Sequence, residues 1–166
     1  RTIRYLGKIN NPEQDLAGIA IGASTTLLAL SNQGDLIQQS FPYGSGRMYP
    51  LLEEKYSLQA VYKWLAADVS LEDVGDYLHQ KSVYPGLVPM HDEALAIEHS
   101  LARLILSKIA GTIYPRDSSK KRAVDPVIVS GRCLTQSPDA STSMLTLLNG
   151  LQPIGISNFL FDSHDL

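Results

Sequence analysis

A short stretch of small residues, 18–26, constrains this chain more than any other feature of its sequence. Small apolar residues lead into Gly22, small and hydroxyl residues follow, and a second apolar run covers residues 27–30. The pattern predicts two strands joined by a turn with little side-chain bulk. Backbone N–H groups in such a turn can approach an anion, because no Cβ keeps it away. An ordinary tight hairpin has the same pattern, so the turn alone leaves both interpretations open.

Composition and charge exclude several classes of protein. The chain has 166 residues, about one domain, and a formal net charge of −3, which gives no general attraction to nucleic acid or anionic membrane. No apolar run approaches the roughly 20 residues that span a bilayer, and no signal peptide opens the chain. The single cysteine, Cys133, excludes an internal disulfide and fits a reducing compartment. We therefore expect a cytoplasmic protein that binds neither nucleic acid nor membrane.

The two ends of the chain predict that it is part of a longer protein. It starts at Arg1 without Met and stops at Leu166, just after a strand-like run. Residues 1–15 are polar and aperiodic, so we interpret them as a lead-in from a neighbouring lobe, before a single lobe over residues 16–166.

Strand signals dominate the first part of this lobe. Three short strands are predicted over residues 16–21, 26–31 and 36–41, and the short turns between them indicate an antiparallel meander. A fourth, buried strand is predicted over residues 127–129, beside the first strand. It runs directly into Ser130 and Gly131, where a ligand can meet the carboxyl end of a strand. Residues 153–161 alternate towards a last strand.

Helical spacing of apolar residues predicts four helices, over residues 56–67, from 71 onward, over 93–110 and over 141–149. Ser70 and Asp73 form a capping-box pattern before the second helix, with Asp73 in place of the usual Glu or Gln.

The remaining signals concern helix ends and loops. We expect Asp92 to cap the third helix and Gly150 to stop the fourth. Residues 42–50 contain glycines but lack the lysine of a phosphate loop, so an ordinary flexible connection is predicted there. Residues 112–124 are polar and basic and are predicted to form an exposed loop.

The order of these elements is a meander, helices, a lone strand, a helix and a final strand. This order predicts an α/β fold, a ribonuclease-H-like lobe whose mixed sheet contains an antiparallel meander and has flanking helices.

Other reactive side chains form no recognisable site. The spacing of the four histidines does not suit a metal, and no zinc site is expected; they are His79, His91, His99 and His164. His99 follows Glu98 on the long helix, where a surface or helix-packing role is predicted. Cys133 is interpreted as a small buried residue.

The turn at Gly22 resembles the phosphate-binding hairpin of the actin/Hsp70/sugar-kinase superfamily, Asp-x-Gly-x-x-Thr-Thr, with Ala20 in place of the aspartate. Several segments also resemble the accessory protein encoded beside cobalamin-dependent glutamate mutase, the GlmL or MutL family. These segments are residues 21–26, 64–65, 84–89, 96–103, 129–131, 144–148 and the Leu-Gln-Pro-Ile-Gly run 151–155. The segments are spread along the chain, so the resemblance extends over nearly the whole of it apart from roughly the first fifteen residues.

The resemblance implies the second lobe of an actin-like ATPase, in which ATP or ADP with magnesium lies between two related lobes. It implies nucleotide-binding roles for eight residues. These are Gly22, Ala23, Ser24, Thr25 and Thr26 in the phosphate hairpin, and Ser130, Gly131 and Arg132 in the adenosine motif. The implied partners are the first lobe of the same protein and a cobalamin-dependent mutase.

Two departures from the family pattern argue for weakened nucleotide chemistry. In the superfamily the hairpin aspartate helps to hold the metal and its attacking water, which Ala20 cannot do. Arg132 replaces the second glycine of the adenosine motif, where its side chain either obstructs the nucleotide or stacks on the base. No catalytic residue and no metal ligand is therefore predicted.

The sequence leaves two main hypotheses open. The first is a nucleotide-responsive lobe of an actin-like accessory protein with weak or no ATP hydrolysis. The second is a degenerate lobe without nucleotide that serves as a protein–protein interaction module. A sugar or acetate kinase is a more distant third, because no substrate-binding segment is recognisable.

Overall fold

A computed structural model of the protein describes residues 2–9, 15–32, 35–49, 52, 58–65, 68–114 and 124–163. Its elements in chain order are α1 (Thr2–Ile9), β1 (Asp15–Ile21), β2 (Thr26–Asn32), β3 (Asp35–Phe41), α2 (Gln59–Tyr62), α3 (Leu71–Val83), α4 (Asp92–Ile113), β4 (Val124–Ser130), α5 (Arg132–Thr135), α6 (Ala140–Leu151) and β5 (Phe159–Asp162).

The five strands form one mixed sheet in the order β3-β2-β1-β4-β5. The strands β1, β2 and β3 are antiparallel neighbours, whereas β4 pairs in parallel with β1 and with β5. The predicted meander and the predicted place of the fourth strand beside the first are both confirmed. This strand order and these directions confirm the ribonuclease-H-like α/β fold.

The core lies between the sheet and the long helix α4. Ile19 of β1 and Val129 of β4 are at most 2% exposed. Leu101 and Ile105 of α4 are fully buried in the same cluster. Helix α6 packs beside α4. The predicted apolar stripe of the long helix is therefore its core-facing side, because residues three or four apart share one face of a helix.

The capping box before α3 is confirmed. The Ser70 hydroxyl accepts a hydrogen bond from the Asp73 amide, and the Asp73 carboxylate accepts one from the Ser70 amide. These bonds satisfy two backbone donors that a helix start leaves without intrahelical partners.

Two predicted features of α4 are wrong. Asp92 does not cap the helix: His91 holds the cap position without a side-chain hydrogen bond, and Asp92 lies in the first turn, where its charge suits the helix dipole. The helix also continues past Gly111 to Ile113. The Ile113 side chain is buried in the core, so residues 112 and 113 do not belong to the predicted exposed loop.

Gly150 does not stop α6 but lies inside it. A Cβ on Gly150 would lie 2.6 Å from Leu106 Cβ, so the glycine permits the close approach of α6 to α4. The helix ends one residue later, where Gln152 adopts a left-handed backbone with φ 49°.

The aperiodic lead-in predicted for the first residues contains a helix, α1. It lies on the sheet against β1 and β2, and a Cβ on Gly18 would lie 2.5 Å from Ile3 Cδ1. The assignment of residues 1–15 to a neighbouring lobe stays a prediction. Of the helix predicted over residues 56–67, the described part contains only the short α2, and residues 56, 57, 66 and 67 lie outside the described residues.

Candidate functional site

The carboxyl ends of β1 and β4 meet at one edge of the sheet, because the two strands are parallel. Ala20 pairs with Ser130 across this boundary. The chain then leaves β4 through Gly131, whose φ of 126° strongly favours glycine and where a Cβ would lie 2.6 Å from the Ile21 carbonyl oxygen. The turn after β1 and the Ser130–Gly131 segment therefore lie together on one rim.

A cleft of about 750 Å³ opens at this rim. One side consists of the ends of β1 and β4 with the start of α5. Residues 85–91, in the connection between α3 and α4, also line the cleft, with Lys81 and Glu98 from those helices. A volume in this range suits an organic ligand, since ligand pockets commonly measure 300–1,000 Å³.

Five of the eight residues predicted to bind nucleotide line this cleft. They are Gly22, Ala23, Ser130, Gly131 and Arg132. Thr26 does not: its side chain is fully buried and its hydroxyl donates to the Tyr43 carbonyl oxygen at 2.9 Å, so it is engaged within the protein. Ser24 and Thr25 also lie outside the lining. The assignment of any of the eight to a nucleotide stays a prediction.

The turn itself is closed by a hydrogen bond from the Gly22 amide to the Thr25 carbonyl oxygen at 2.9 Å. The carbonyl groups of Gly22 and Ala23 accept bonds from the Ser45 and Gly46 amides, at 3.0 and 2.8 Å. Sequence reasoning missed these contacts and treated residues 42–50 as an ordinary connection. The two glycines at positions 44 and 46, both buried, were the available signal.

A buried ionic cluster at the back of the cleft was also missed. Lys81 forms an ion pair with Glu98 and donates to the Leu87 carbonyl oxygen at 3.0 Å, and the Tyr77 hydroxyl donates to Glu98 Oε1 at 2.6 Å. Lys81 occurs three and seven residues after Leu78 and Val74, on the buried face of α3. That helical spacing was the available signal.

Burial shifts the pKa values of side chains in this cluster. Loss of hydration raises the pKa of the Tyr77 hydroxyl to about 12 and lowers the pKa of Lys81, while the Glu98 carboxylate favours the charged ammonium. Burial also raises the pKa of the neighbouring Cys133 thiol to about 11, which leaves it protonated and unreactive near neutral pH.

His99 serves helix packing, one of the two predicted roles. It is 1% exposed, and its ring nitrogens lie 3.0 Å from Thr146 Oγ1 and 3.2 Å from Ser137 Oγ. Burial, followed by the nearby Arg103 charge, lowers its pKa to about 4, so the ring is neutral at physiological pH.

The cleft suits an anionic group better than a metal ion. The turn supplies backbone amides, but Ala20 supplies no carboxylate, and of the two acids that line the cleft, Asp92 and Glu98, the second is already paired with Lys81. Within the described ranges no group of three His, Cys, Asp or Glu side chains could hold a metal. The protein residues at the turn therefore do not fit a magnesium site of their own.

Among the described residues, no helix combines the length and apolar character needed to cross a membrane.

No family model and no curated protein matches the chain. Solved structures that match include the ethanolamine utilization protein EutJ from Carboxydothermus hydrogenoformans, at 14% identity and a TM-score of 0.49 over 98% of this chain and 48% of that one. Another is component A of (R)-2-hydroxyglutaryl-CoA dehydratase from Acidaminococcus fermentans, at 16% identity and a TM-score of 0.42 over 98% of this chain and 61% of that one. The chain thus spans 48% and 61% of these two proteins. At these similarities neither likeness assigns it a family or a function.

Proposed function

We propose that this chain is the nucleotide-binding lobe of an actin-like protein, with weak or no ATP hydrolysis. One observation carries the proposal. The turn at Gly22 and the Ser130–Gly131 segment lie more than a hundred residues apart in sequence, and both line the same cleft. These are the two segments whose residues resemble the phosphate hairpin and the adenosine motif of the superfamily.

The proposed ligand is ATP or ADP, held through groups that do not depend on a carboxylate. Backbone amides of the turn meet the phosphates, and Gly131 leaves the adenosine side of the cleft free of a Cβ. Arg132 is exposed at the cleft, where its guanidinium can stack on the base or pair with a phosphate. Ala20 leaves the site without the group that would position an attacking water.

We further propose that the lobe acts as an accessory to a cobalamin-dependent mutase, as a member of the GlmL type. The order of the matching segments along the chain supports this assignment. Residues 85–89 of one of these segments line the cleft. Opening and closing of this lobe against the first lobe, driven by nucleotide, would be its output.

Two measurements on the full-length protein test the proposal. Calorimetric titration of ATP with magnesium should show binding to the parent and to Ala20→Asp. Phosphate release should be negligible for the parent and higher for Ala20→Asp, while Ala20→Asn controls for side-chain size without charge. A parent that binds no ATP refutes the nucleotide assignment. Parent turnover equal to that of Ala20→Asp, with magnesium present, refutes the weak-hydrolysis assignment.

A second candidate is a lobe without nucleotide that contacts another protein through the cleft. It is favoured by exposed apolar side chains on the lining: Leu27, Val88 and Met90 are 52%, 53% and 80% exposed. Absence of ATP binding together with weaker binding of purified mutase by Met90→Ser than by the parent would select this candidate. ATP binding with no effect of Met90→Ser would exclude it.

A further inference from the structure

Residues 43–46, which we term the brace, contact the turn after β1 on its carbonyl side. The Ser45 amide donates to the Gly22 carbonyl oxygen at 3.0 Å, and the Gly46 amide donates to the Ala23 carbonyl oxygen at 2.8 Å. A Cβ on Gly44 would overlap the Gly22 carbonyl oxygen and would lie 2.8 Å from the Thr25 nitrogen. The brace therefore lies against the turn so closely that position 44 has no room for a side chain.

These two bonds fix the orientation of the next two N–H groups. In a trans peptide the C=O and the following N–H point in opposite directions, and the only cis peptide bond among the described residues precedes Pro126. Because the Gly22 and Ala23 carbonyl groups point at the brace, the N–H groups of Ala23 and Ser24 point away from it. Of these two residues, Ala23 lines the cleft and Ser24 does not, so the Ala23 N–H is the donor that an anion in the cleft can reach.

The brace is itself anchored at both ends. The buried Thr26 hydroxyl holds the Tyr43 carbonyl oxygen at 2.9 Å. At the other end Gly46 lies against Pro85, where a Cβ would come within 2.5 Å of the Pro85 Cα. In the same connection, the carbonyl oxygen of Leu87 accepts a hydrogen bond from Lys81, which is paired with Glu98. The brace thus contacts two parts of the cleft lining, the turn after β1 and the connection at Pro85.

We propose that the brace is a positioning element of the cleft, which holds the N–H group of Ala23 in place for the phosphate of a bound nucleotide. The nucleotide part rests on the proposed function, whereas the anion part rests on the brace geometry alone. Thr26 acts through Tyr43 and does not touch the ligand. Its role is to keep the brace, and so the turn, in the orientation that an anion requires.

Near-isosteric substitution of Thr26 tests the brace in the full-length protein. Thr26→Val removes the hydroxyl that holds Tyr43, and we expect the Kd for ATP with magnesium to rise roughly tenfold, the equivalent of one lost hydrogen bond. Thr26→Ser keeps the hydroxyl and should restore the parent Kd. Gly111→Ala is the matched control, because a Cβ there meets nothing within 4 Å. Gly44→Ala should weaken binding further, since its Cβ displaces the turn.

A second probe separates this inference from the proposed function. Inorganic pyrophosphate should shift the amide NMR signal of Ala23 in the parent and in Thr26→Ser, and shift it much less in Thr26→Val at equal concentration. If ATP fails to bind but pyrophosphate gives this pattern, the proposed function falls and the brace stands. If Thr26→Val binds ATP as the parent does, or if pyrophosphate leaves the Ala23 amide unchanged in the parent, the brace is overturned.

Discussion

Truncation of Leu101 tests the placement of α4 against the sheet. Leu101 is fully buried in the same core cluster as Ile19 of β1 and Val129 of β4. Leu101→Ala removes three buried carbon groups, worth about 0.8 kcal/mol each or about 2.4 kcal/mol together. The packed surroundings cannot close fully, so a cavity adds to this loss, and we expect a decrease in the free energy of unfolding of about 3–5 kcal/mol.

Denaturant unfolding followed by circular dichroism measures this change, as a lower midpoint at an unchanged slope. Leu145→Ala is the matched control, because it makes the same truncation in a helix at a side chain that is 53% exposed. We expect the control to change the unfolding free energy by less than about 1 kcal/mol. Equal midpoints for the two variants would show that this face of α4 does not pack on the sheet.

Three further changes have expected outcomes in the same unfolding assay. Ser70→Ala removes one half of the capping box and should cost about 1 kcal/mol, whereas an unchanged midpoint would mean that the cap contributes nothing in solution. Lys81→Met leaves the Glu98 carboxylate buried without its cation and should cost about 3–5 kcal/mol; Lys81→Met with Glu98→Leu should cost less, and equal losses would argue against the buried ion pair. Burial lowers the pKa of His99 to about 4 in the folded protein, against an ordinary pKa of 6.5. Its neutral form is favoured by folding, so stability present above pH 6.5 should fall by roughly 3 kcal/mol as the pH drops to 4. His99→Gln should flatten this dependence, and the same slope in both proteins would refute it.

The sequence alone determined the features that depend on local patterns. Apolar runs separated by turn residues predicted β1, β2 and β3 as a meander, and the Ser70 pattern predicted the start of α3. Each of these signals lies within a few residues of the structure it predicts, because strand alternation, helix periodicity and caps are short-range effects. The shared rim of the Gly22 turn and Gly131 was also predictable, since parallel neighbouring strands end on the same side.

Only the tertiary structure decided the contacts between distant segments. Within α6, position 150 is a glycine that packs so closely against Leu106, far away in sequence, that no Cβ fits there. Helix α1 was missed although Ile3 and Leu6, three residues apart, share one face of it, and only the fold shows that it packs against β1 and β2. The Lys81–Glu98 pair and the brace on the Gly22 turn join residues that no short window contains. Local patterns carry no record of such pairs, because the energy of each contact exists only once the chain has brought both partners together.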